Sequence, residues 1–237
     1  LTTGRANVAG GLGSAVKTQG GKIVNLRTHL TLCIAPPALQ GSRFPTSYSG
    51  AVTALNARFA AGVGVYGAVS RGELGVTIAV DERHEIDRAI RFAKGAGLKA
   101  TLRGANRAGE FAERLSGVGM SVVMTAPALG GPKWHTDSMK SLAEAGVPFA
   151  FGLADSSAGA SSLRLGASLA VRAGLDRATA WRAITSTAAS LAGAGDSVGR
   201  LAVGYDADFA LWSGDPLSPA TRLESVYIDG VLITEGK

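Results

Sequence analysis

The feature that most constrains this chain is a strand–helix rhythm running through its middle. Val76–Val80 (VTIAV) is a short, apolar, β-branched run. Glu85–Lys94 (EIDRAIRFAK) follows, with Ile86, Ile90 and Ala93 at helical spacing, and Gly95 and Gly97 supply a stop. The pattern repeats as Leu98–Leu102 with Ala108–Leu115, Ser121–Met124 with Ser138–Ala145, and Val147–Phe151 with Ser161–Ala173. Units of roughly 20–25 residues, each a short strand and a helix, mark parallel βα architecture. Strands this uniformly apolar are covered on both faces, as in a barrel or a doubly wound sheet.

The flanks read differently. Residues 1–21 are glycine-rich, with Gly10-Gly11, Gly13 and Gly20-Gly21, and are expected to form tight turns or to mark close backbone approach. The opening has no initiator Met and reads like the middle of a protein. One strand is expected within 22–34, then an irregular loop carrying Pro36, Pro37 and Pro45. A helix over 49–61 follows Ser49 as its N-cap, and another over 178–192 follows Asp176. Beyond residue 198, short strands at Ala207–Trp212 and Val226–Leu232 alternate with Gly, Asp and Pro turns, a small β appendage. The expected division is 1–197 and 198–237.

Composition closes several routes. Hydrophobic residues make up 46% and charged residues 18%, enough for a folded core. The net charge is +6, but the arginines are scattered among Glu and Asp, with no basic run and no aromatic stacking platform. Nucleic-acid binding is therefore not expected. No stretch approaches the ~18 apolar residues of a membrane span, and no signal peptide or other mark of a compartment is visible. The single cysteine, Cys33, has no disulfide partner within the chain and reads as a small buried hydrophobe. The glycines before Lys17 do not meet the P-loop pattern.

The C-terminal third carries a more specific signal. Ala183-Ile184-Thr185-Ser186-Thr187-Ala188-Ala189 is followed by Val198-Gly199-Arg200-Leu201-Ala202-Val203-Gly204-Tyr205-Asp206-Ala207-Asp208-Phe209, then Asp215-Pro216 and Val226-Tyr227-Ile228-Asp229-Gly230. In this order and spacing they resemble the closing signature of the amidohydrolase superfamily. Arg5-Ala6-Asn7-Val8-Ala9-Gly10-Gly11, the loop Pro36–Thr46 with Arg43, and Leu163-Arg164-Leu165 with Ala170–Leu175 are similar to imidazolonepropionase-like members. The resemblance covers nearly the whole chain, most firmly 140–232. It implies an α/β fold: a partial (β/α)8 TIM-like barrel of the metal-dependent hydrolase type, with a small C-terminal β-sandwich portion.

The resemblance also implies a chemistry. Members hydrolyse C–N bonds, often of cyclic amides, with a metal-activated water and an aspartate base. Zinc or iron would suit such a ligand set. The family places a His-x-His on the first strand, one histidine on each of the fifth and sixth, and an aspartate on the eighth. Here no His-x-His exists, and the first strands are expected to lie before Leu1. The later positions fall on Ala79, on Arg103 or Gly104, and on Ala154, with Asp155 one residue late. No metal ligand is assigned. Asp155 remains as the catalytic candidate, and Asn7, Arg43 and Arg103 as substrate-binding candidates.

The Arg103 guanidinium is expected to take the space of the lost cation and pair with Asp155 or Asp81. Lys17 matches a carboxylated metal-bridging lysine only loosely and is expected to be solvated. His29, His84 and His135 sit away from the family's ligand positions and read as surface or hydrogen-bonded histidines. A rearranged site from Asp81, His84, His135 and Asp155 is the alternative. The expected function is a metal-free, non-catalytic subunit or scaffold that needs a protein partner, either a second copy or an active homologue. The rival reading is a C–N hydrolase whose His-x-His arrives on a separate N-terminal chain.

Overall fold

The computed structural model describes residues 4–153 and 161–235. Its larger unit is a six-stranded sheet whose neighbours follow chain order. The strands are β1 (Ala9–Val16), β2 (Ile23–Cys33), β3 (Gly75–Ala79), β4 (Thr101–Arg103), β5 (Ser121–Thr125) and β6 (Phe149–Gly152). β2 to β6 are parallel, and β1 is an antiparallel edge strand on β2. Helices α1 (Tyr48–Ala61), α2 (Gly64–Ser70), α3 (Arg83–Ala96), α4 (Ala112–Val118), α5 (Lys133–Glu144) and α6 (Ser161–Arg172) alternate with the parallel strands. After α7 (Arg177–Ile184) and α8 (Ser186–Leu191), β7 (Phe209–Trp212), β8 (Leu223–Ile228) and β9 (Val231–Glu235) form a separate antiparallel sheet. This is the α/β barrel-type architecture with a small C-terminal β portion that the resemblance implies.

Register sorts the side chains into two faces. Leu32, Ile78, Leu102, Val122 and Phe149 lie in one row across β2 to β6 and belong to the main apolar core. Leu55 and Phe59 of α1, Ile86, Ile90 and Phe92 of α3, and Met139 and Leu142 of α5 close over that face. At about 25 cal/mol per Å² of apolar surface, this helix–sheet layer is the main source of stability. The alternate residues face the other way. Thr31, Thr77, Thr101 and Ser121 form one inner row, and Cys33, Ala79, Arg103, Val123 and Ala150 the next. This face is polar and small-residued, as suits an interior that opens to a ligand.

Local chemistry explains where the elements start and stop. Ser47, rather than Ser49, caps α1, accepting from the Gly50 amide. Glu82 and Glu85 form a capping box on α3. α5 begins at Lys133, directly after Pro132, five residues earlier than the sequence suggests, so His135 is helical. The helix expected over 178–192 is two helices, broken at Thr185 (φ −128, ψ −101).

The glycine-rich opening forms the strand β1, and of the two expectations for its glycines, turns or close backbone approach, Gly13 meets the second. Gly13 lies opposite His29, and a β-carbon there would collide with the imidazole, so glycine lets β1 close onto β2.

Candidate functional site

A hollow of about 150 Å³ opens at the C-terminal edge of the parallel strands. Arg5, Ala79, Asp81, Arg103, Asn106 and Thr125 are among its walls. Each arrives by a simple route. Ala79 ends β3 and Arg103 ends β4, and the two are paired in register. Asp81 follows β3, where its amide donates to Glu85 Oε2 at 2.8 Å, so the α3 capping box also fixes the Asp81 backbone. Gly104 has φ +88, and a β-carbon there would lie 2.9 Å from Asp81 Oδ1. Asn106 Oδ1 accepts from the Thr125 amide at 2.9 Å and its hydroxyl at 3.0 Å, tying the β4 exit to the end of β5.

Arg5 comes from the segment ahead of β1 and forms an ion pair with Asp81. Its guanidinium also meets the Cys33 thiol, whose pKa burial pushes up and Arg5 partly pulls back down. Val8 reinforces this crossing: its carbonyl accepts from the Cys33 amide at 3.0 Å, and its side chain packs on Cys33, Ala35, Ala38 and Ala79. The segment thus straps the mouth of the inner face.

Of the substrate-binding candidates, Arg103 lines the hollow. Asn7 is exposed and is not among its walls. Arg43 is exposed as well, and its Nη2 donates to the Ala6 carbonyl at 2.9 Å, bracing the strap rather than facing the hollow. Asp155 lies outside the described residues. Asp81, one of the two expected partners of Arg103, pairs with Arg5 instead. Sequence reasoning passed over Arg5 as a site residue, although it heads the motif that was singled out. It also passed over Asn106, which no local pattern marks.

The histidines do not converge. His84 is exposed and is not part of the hollow. His135 is buried on α5, and burial lowers its pKa while the Thr125 backbone partly offsets this. His29 is buried on the inner face of β2, with Nδ1 2.8 Å from Thr28 Oγ1. Burial lowers its pKa, and neighbouring positive charge, that of Arg103 included, adds to this.

Lys17 is not solvated: it is buried, with Nζ 2.8 Å from Asp206 Oδ2, 3.0 Å from Asp208 Oδ1, and paired with Asp229. Three carboxylates converge there because a buried ammonium must be compensated. A carboxylated, metal-bridging lysine has no support in this placement.

The family model for amidohydrolases matches residues 55–234. The chain belongs to the amidohydrolase family. An amidohydrolase from Thermotoga maritima MSB8 has a similar structure, with a TM-score of 0.80 and 22% identity over 98% of this chain and 70% of its own. An adenosine deaminase from Xanthomonas campestris with bound zinc gives 0.56 and 21% identity over 75% of this chain and 48% of its own. A prolidase complexed with N-methylphosphonate-L-proline gives 0.54 and 22% identity over 71% and 47%. The chain spans about half the length of the last two. At these identities the likeness is one of fold. No curated protein is a significant match.

Amidohydrolases carry their chemistry at the C-terminal ends of barrel strands, where this hollow lies. Among the described residues, the donor set around the hollow does not fit a divalent cation. Ala79 offers a methyl group. Arg103 offers a positive charge and five N–H donors but no lone pair to give a metal. Among the described residues no group of three or more His, Cys, Asp or Glu is placed to hold a metal ion. A rearranged site from Asp81, His84 and His135 is not brought together.

Proposed function

We propose that this chain is a non-catalytic member of the amidohydrolase family, a subunit or scaffold that pairs with a second copy of itself or with an active homologue. One observation carries the reading. At the two strand ends where the resemblance expects histidines stand Ala79, in the inner row Cys33–Ala79–Arg103–Val123–Ala150, and Arg103 or the Gly104 that follows it, none of which can ligate a metal. Loss of ligands from two adjacent strands is not repaired by residues elsewhere, because metal ligation depends on donors within little more than 2 Å. The small sheet supports the pairing half of the reading. All five residues of β9 are exposed, with Val231, Leu232 and Ile233 presenting apolar surface along an edge strand.

Native mass spectrometry of the assembly purified from its source tests this. A homo-oligomer, or a complex with a homologous chain, is the expected result. A monomer that hydrolyses cyclic amides would overturn it. A companion chain carrying His-x-His, found together with hydrolysis by the complex, would establish the rival reading of an enzyme completed in trans.

A further inference from the structure

We propose that the groove between α1 and α3 binds a small amphipathic carboxylate, an apolar body of about ten carbons with one anionic head. The groove has a volume of about 550 Å³, within the range of small-ligand sites. It lies on the helical layer, away from the strand-end hollow, so its failure would leave the reading of that hollow untouched.

The floor is apolar. Phe59 of α1 and Phe92 of α3 meet there with ring centroids 6.1 Å apart, and Val52, Ala60 and Ala96 form the walls. The rim is cationic: Arg88 and Arg91 line the groove and no carboxylate does. Arg91 is paired with Asp87 at 2.7 Å. Arg88 has no carboxylate partner among the described residues, yet it is held in place. Its guanidinium carbon sits 3.5 Å from the centroid of the Tyr48 ring, and its Nη1 donates to the Ile34 carbonyl at 3.2 Å. A half-buried guanidinium, fixed by stacking and with donors to spare, is pre-organised for a carboxylate.

Gly95 is the penultimate residue of α3, in the last turn that Gly97 closes. Packing within the chain does not demand it, since a β-carbon there would meet nothing within 4 Å. The missing side chain instead deepens the groove beside Arg91 and Phe92. An apolar tail on the Phe59–Phe92 floor with its head at Arg88 uses all three features at once.

Isothermal titration of the full chain with decanoate and with decyltrimethylammonium, both below micelle-forming concentrations, tests the proposal. Decanoate is expected to bind at one site and the cationic amphiphile not to bind. Arg88→Met removes a charge-assisted hydrogen bond and is expected to weaken decanoate about tenfold, while Arg88→Lys retains part of the affinity. Gly95→Trp is expected to abolish binding, and Gly95→Ala to preserve it. Ala60→Phe, on the exposed opposite wall, blocks the groove equally should Gly95→Trp fail to fold. Equal binding of the cationic amphiphile, no binding of decanoate, or decanoate affinity unchanged in Arg88→Met would overturn the proposal.

Discussion

Lys17 Nζ lies 2.8 Å from Asp206 Oδ2, joining the first strand of the large sheet to the loop that leads into the small one. Asp208 and Asp229 complete the enclosure, and Asp208 Oδ1 also accepts from the Asp229 amide at 2.8 Å. Burial alone would lower the pKa of the ammonium, but the three carboxylates outweigh it and raise it above the ordinary lysine value. The aspartates of the closing family signature therefore act as a clasp between the two sheets.

Removing the ammonium leaves three carboxylates facing one another. They retain partial access to water, which discounts the penalty below that of a fully buried pair. Lys17→Met is expected to lower stability by about 2 kcal/mol, read by urea denaturation. Amide exchange in β7 to β9 should rise more than in β3 to β5. An unchanged midpoint would show that the clasp is dispensable.

The buried histidines give a pH dependence of defined sign. His29 and His135 have folded-state pKa values lowered, chiefly by burial. The unfolded chain takes up protons near pH 6.5 where the folded chain does not. Their contribution is present in full above about pH 6.5 and is lost as pH falls from there toward the lowered folded-state values. Urea midpoints between pH 7.5 and pH 5 should decline, and His29→Gln should flatten the slope. A slope unchanged in His29→Gln would contradict the placement of His29.

Gly104 joins backbone and site. With φ +88, and with Val80 O and Asp81 Oδ1 in the space a β-carbon would need, it admits no side chain without displacing Val80 or Asp81. Gly104→Ala is expected to cost about 1–3 kcal/mol and to loosen the Arg5–Asp81 pair. Faster amide exchange over residues 5–8 would report that loosening, whereas protection equal to the parent chain's would sink the assignment.

Much of this fold is legible in the sequence because its signals are local. The runs behind β3, β5 and β6 and the amphipathic pattern of α3 appear within single windows of residues. β1 is legible only in part, because its glycines fit turns as well as close backbone approach; the packing of Gly13 against His29 decides for the second. The break at Thr185 carries no Gly or Pro to announce it. The site is read less completely. Arg103 ends a strand and Asp81 follows one, and both are found by position. The Lys17 contact with Asp208 spans 191 residues and the Arg5 contact with Asp81 spans 76, distances at which no local pattern reports.

In the proposed non-catalytic role, the strand-end row holding Ala79 and Arg103 does not ligate a metal. Elemental mass spectrometry of the native assembly, purified without chelator, tests it most directly. The expected result is zinc, iron and manganese all far below one per chain. About one metal per chain, lost on substitution of residues around the hollow such as Asp81→Ala, would contradict it.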